Sequence, residues 1–121
     1  MKLTNNQIYA YAEQLLALNI NDIKLPVRIN FFLQKNIQAI AAAGQEIDAA
    51  RLNIAQEFGK LNEEGTQFII PPEKMAEAQQ ELNDLFNLEQ ELNIHIFKLD
   101  DFDGIELTYQ QLSTIMFMIE E

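Results

Sequence analysis

From Leu33 onward, Leu33, Ile37, Ile40, Gly44, Ile47, Arg51, Ile54 and Phe58 fall in alternating steps of four and three. That spacing puts them on one seam of an α-helix and matches the period of a coiled-coil-like packing face. Pro26 stands where a first helical turn tolerates a missing N–H, so the pattern predicts one long helix over 26–58. At 1.5 Å per residue such a helix spans roughly 50 Å. A compact monomer of 121 residues does not need a helix of that length to close its core. The expectation is therefore a homo-oligomer in which Leu33, Ile37, Ile40, Ile47 and Ile54 face another copy. The alternative is a monomer whose helix bends at Gly44, where Ala41-Ala42-Ala43-Gly44 also admits a close helical neighbour.

Shorter elements flank this helix. Thr4 and Gln7 have capping-box spacing, and Ile8, Tyr11, Leu15 and Leu18 follow at helical intervals, which predicts a first helix over 5–18. A polar connector over 19–24 leads into the long helix. Gly59 is placed to end it in a left-handed cap. Gly65 and the β-prone Phe68-Ile69-Ile70 predict a small hairpin over 60–70. Met75, Ala78, Leu82, Leu85, Glu89 and Leu92 mark a third helix, and Thr108 with Gln111 caps a fourth carrying Leu112, Ile115, Met116 and Ile119. The β-branched run over 94–99 reads as a strand able to pair with Phe68-Ile69-Ile70. The fold class is mainly α with a small β element, about four helices, in a single domain over 1–121.

Charge is divided by halves. Residues 1–60 carry six Lys/Arg against five Asp/Glu, whereas residues 61–121 carry two against fourteen, so nearly all of the net −11 is C-terminal. Such a surface repels duplex nucleic acid, and three clustered cations do not make a phosphate footprint. Cysteine is absent, which removes disulfides, thiol catalysis and thiolate metal sites. No run approaches the ~20 apolar residues of a membrane helix, and Met1-Lys2-Leu3-Thr4-Asn5-Asn6-Gln7 has no apolar signal core, so the expected location is cytosolic.

The chemical motifs fail in turn. Aligning Gly104 with the sixth position of a calcium loop puts Leu99 first and Gln110 twelfth, where carboxylates are required, so Asp101 and Asp103 read as a turn and no metal is expected. His95 is the only histidine and Ser113 the only serine, which leaves neither a zinc pair nor a nucleophile elbow. Glycines 44, 59, 65 and 104 build no phosphate-binding fingerprint, and Glu63-Glu64 and Asp100-Asp101 lack an apolar pocket to separate their pKa values. The chain is expected to be no enzyme and to need no cofactor.

One constellation remains. Lys24, Arg28 and Lys35 form an acid-free basic stretch, and Arg28, Phe31, Phe32 and Lys35 fall at i, i+3, i+4 and i+7 on one helical face. Arginine offers planar recognition of phosphate, lysine a compact charge and phenylalanine a stacking surface, a combination suited to a small anionic nucleotide. Against this stands the plainer reading, in which the rings belong to the core and the cations pair with the acidic half.

The order Leu25-Pro26-Val27-Arg28-Ile29-Asn30-Phe31 with Gln34-Lys35-Asn36, then Glu63-Glu64-Gly65, Glu81-Leu82-Asn83-Asp84-Leu85 and Leu107-Thr108, resembles a family of small uncharacterised proteins encoded by bacteriophages and prophages of Gram-positive bacteria. The resemblance covers nearly the whole chain and implies a viral origin, with no established active site to carry over. Two functions fit these readings. One is an oligomeric binding protein in the host cytoplasm that sequesters a host protein or a nucleotide signal, a counter-defence role. The alternative is a virion or tail component, structural or chaperone-like.

Overall fold

The computed structural model describes residues 1–18 and 22–120. The fold is mainly helical. Helix α1 (Asn5–Ala17) begins on Thr4, whose Oγ1 accepts from the Gln7 backbone N–H at 3.1 Å while the Gln7 Oε1 accepts from the Thr4 N–H at 2.9 Å. Helix α2 (Val27–Phe58) follows Pro26 and runs 32 residues, about 48 Å. Helix α3 spans Met75–Asn87, and α4 (Tyr109–Ile115) starts on the second capping box, Thr108 with Gln111. Of the connector expected over 19–24, residues 19–21 lie outside the described residues.

Three two-stranded ladders tie the helices together. Strand β1 (Lys2–Thr4) pairs antiparallel with β4 (Glu89–Glu91), Leu3 opposite Gln90. Strands β2 (Lys60–Leu61) and β3 (Phe68–Ile69) form the expected hairpin, with Leu61 opposite Phe68. Strand β5 (Phe97–Lys98) pairs in parallel with β6 (Ile119–Glu120).

Leu33, Ile40 and Ile47, three of the five α2 residues expected to face another copy, are instead buried within their own chain. Leu33, Ile40 and Ile47 are 1%, 0% and 2% exposed and belong to one core with Ile8, Leu15, Phe97, Ile115 and Met118; Ile37 is half-buried against it, and Ile54 is half-buried. The length of the helix is used by giving it different neighbours at successive levels. Asn36 meets His95 and Met118, Gly44 and Asp48 meet Ala12 and Tyr9 of α1, and Gly59 meets the β3 strand. A Cβ on Gly44 would stand 3.2 Å from the Ala12 Cβ, so this glycine sets the close approach of α1 to a helix that runs through it unbroken.

Three further expectations are corrected. Gly59 is extended, with φ −112° and ψ 173°, and not left-handed; glycine is required because a Cβ would lie 2.7 Å from the Ala55 carbonyl oxygen and 3.2 Å from that of Ile69. Helix α3 stops at Asn87, so Glu89 lies in β4 and Leu92 follows it. Its last carbonyls are taken by Asn5, which is 3% exposed: the side-chain Nδ2 donates to the Leu85 oxygen at 2.8 Å and the backbone N–H to the Leu88 oxygen at 2.8 Å. Finally, the strand expected over 94–99 is only Phe97–Lys98, and its partner is β6, not Phe68-Ile69-Ile70.

Candidate functional site

The face that carries Arg28, Phe31, Phe32 and Lys35 is set by the helix period, since Ile29, Leu33, Asn36 and Ile40 point the opposite side of α2 into the core. The two phenyl rings have different surroundings. Phe32 is half-buried and stacks on the His95 imidazole, with centroids 4.0 Å apart and planes within 12°. His95 in turn meets Phe97 edge to face at 4.8 Å. Phe31 is 57% exposed and meets Phe32 edge to face at 5.3 Å. Each cation covers one ring: the Arg28 Cζ stands 5.9 Å from the Phe32 centroid, and the Lys35 Nζ 5.6 Å from that of Phe31.

Neither Arg28 nor Lys35 forms an ion pair among the described residues, so pairing with the acidic half, one of the two sequence readings, does not occur there. The ion pairs of the described residues are Met1–Glu91, Lys2–Glu89 and Arg51–Asp48. Beside the constellation lies an open groove of about 420 Å³, lined by Leu25, Val27, Asn30, Phe31, Gln34 and Lys35 among others. Val27 at its edge is 87% exposed. Lys24 lines an adjoining groove with Asp103 and Glu106, and Leu25 lines both grooves. The structure thus joins Arg28, Phe31, Phe32 and Lys35 on one helical face, with Lys24 before the start of that helix.

What holds this face in place is Asn36, which sequence reasoning did not single out as a site. Its side chain is 1% exposed. The Oδ1 accepts from the His95 backbone N–H at 2.8 Å, and the Nδ2 donates to the His95 carbonyl at 2.9 Å and lies 3.3 Å from the Met118 sulfur. This clamp fixes the segment that presents His95 to Phe32. The available signal was an amide at a core position, three residues after Leu33 and four before Ile40.

The other chemically notable group joins two helices. The Asp48 Oδ1 accepts from the Tyr9 hydroxyl at 3.0 Å and from the Arg51 Nε at 3.0 Å. Hydrogen bonding from Arg51 and then from Tyr9 holds the Asp48 carboxyl below the usual carboxylate range, and Asp48 raises the Arg51 guanidinium further. At the Asp101/Asp103 turn, the Asp101 Oδ2 accepts from the Lys98 N–H at 2.9 Å, and Gly104 takes φ +79°. Among the described residues no helix is long and apolar enough to cross a membrane. Comparison of the chain with protein-family models, with curated proteins and with solved structures gave no match.

Proposed function

We propose that the chain is a non-enzymatic, phage-encoded binding protein that acts in the host cytoplasm by stoichiometric capture of an anionic partner. The observation that carries this reading is the absence of a carboxylate partner, among the described residues, for Arg28 and Lys35 in a chain with 19 acids. Two unpaired cations on either side of an exposed phenyl ring suit a ligand with phosphate and a flat ring, and a nucleotide signal combines both. An acidic host protein is the macromolecular form of the same charge pattern. The viral origin rests on the resemblance of the segments around Arg28, Glu63 and Glu81 to phage proteins.

Calorimetry with cyclic and linear nucleotides tests it. The expected result is saturable binding that weakens about tenfold or more in Arg28→Ala, since a hydrogen bond to a charged group is worth about 1.5–3 kcal/mol. Folding should change far less, because both cations are exposed. Silence across the panel, with Arg28→Ala/Lys35→Ala merely altering stability, would end the nucleotide reading.

The assembly alternative draws on a different feature, the far end of α2. Leu52, Leu61, Ile69 and Met75 are 44–59% exposed there and around the hairpin, a composition suited to contact with another protein.

A further inference from the structure

The acids of α3 share the spacing of the cations of α2. Glu77, Glu81 and Asp84 are exposed and lie roughly a third of a turn around α3 from Ala78, Leu82 and Leu85. Glu77 and Asp84 are separated by seven residues, as are Arg28 and Lys35, so both pairs stand about 10 Å apart along their helices. None of the three acids is in an ion pair among the described residues, and Asp84 only accepts from Gln80 on its own helix at 2.9 Å.

We propose that a second copy of this chain docks its α3 on the Arg28/Phe31/Lys35 face of α2. Antiparallel alignment of the two helices sets Arg28 opposite Asp84 and Lys35 opposite Glu77, with both cations matched in one register. The same register brings Leu88, which caps α3 and is 58% exposed, within a turn of Val27, which is 87% exposed. An apolar contact then lies at one end of the charged row. The net charge of −11 opposes association of like molecules. At about 0.15 M salt, however, the Debye length is only about 8 Å, so distant acids are screened while pairs in contact are not. Reciprocal exchange in a two-fold dimer and head-to-tail addition both satisfy the pairing. The interface differs from the buried α2 seam, and it rests on the spacing of α3, so it stands without the nucleotide reading.

Sedimentation velocity on the full chain, with no ligand added, tests the proposal. The expected result is concentration-dependent association at about 0.15 M salt that is lost at about 1 M. Arg28→Glu/Lys35→Glu and Glu77→Lys/Asp84→Lys should each sediment as the 13.9 kDa monomer. An equimolar mixture of the two should associate again, as should a single chain carrying all four substitutions. These last two arms separate loss of an interface from loss of fold, because a misfolded variant is not rescued by its charge complement. A wild type that stays monomeric at every concentration, a reversed variant that associates as the wild type does, or failure of both complementary arms overturns the proposal. Nucleotide binding by a monomeric wild type would overturn the interface and leave the ligand site standing.

Discussion

Asn36 shows how one side chain can carry a long-range decision. A helical amide at a core position costs stability unless its polar atoms are met, and here both are met by the His95 backbone, 59 residues away. Asn36→Ala removes the clamp and leaves the partly buried His95 N–H and C=O without their partner, a loss of about 1–3 kcal/mol. Asn36→Leu restores volume and not the bonds, so it should recover only part of that. Urea denaturation should show a lower midpoint at unchanged slope for both variants, and a midpoint equal to that of the wild type would mean that the clamp contributes nothing. The site was half legible in the sequence for the same reason. The spacing of Arg28, Phe31, Phe32 and Lys35 is local and follows from the helix period, whereas the division of labour between the rings depends on His95, which only the tertiary fold brings beside Phe32.

At the scale of elements, the readable features are those encoded within a few residues. Both capping boxes, the start and end of α2 to within a residue, and the hairpin follow from local pattern. The β1–β4 and β5–β6 ladders do not, because strands of two or three residues have no measurable period and their partners are distant in sequence. The three-four spacing of α3 continues through Glu89 and Leu92 and so predicts a longer helix, while β1 and Asn5 claim that segment. The α2 seam has a direct consequence. Ile40→Ala should cost about 2–5 kcal/mol of monomer stability. If Ile40→Ala instead lowered the oligomer mass at unchanged unfolding free energy, the seam would be an interface after all. The Tyr9–Asp48–Arg51 junction between α1 and α2 adds a pH dependence. The folded-state pKa of Asp48 is depressed below the ordinary aspartate value of 3.8, so its contribution is present above that pH and is lost as pH falls through the folded value. The difference in melting temperature between wild type and Asp48→Asn should therefore be present at neutral pH and shrink once the solution is more acidic than that value. A difference that persists unchanged in acid would show that the carboxylate is not the source.

The whole molecule is governed by an excess of one charge. Nineteen acids face eight Lys/Arg, and among the described residues only Met1–Glu91, Lys2–Glu89 and Arg51–Asp48 bring opposite charges into contact. The side chains of the Lys2–Glu89 and Arg51–Asp48 pairs are 46–69% exposed, so these two pairs contribute little. Folding gathers the fourteen acids of residues 61–121 into a smaller volume than the unfolded chain occupies, and the resulting repulsion acts against the compact state. Salt shortens the reach of that repulsion from about 30 Å at 0.01 M to about 3 Å at 1 M. The same salt also screens these three pairs, but the acids outside them are far more numerous, so repulsion is the larger effect to be removed. The melting temperature should therefore rise as sodium chloride is raised across this range, measured on protein dilute enough to remain monomeric. Charge-complementary self-association would shift in the opposite direction with salt, which keeps the two effects separable in one titration. A melting temperature that falls steadily with added salt would mean that attraction between charges, and not their excess, dominates the folded surface.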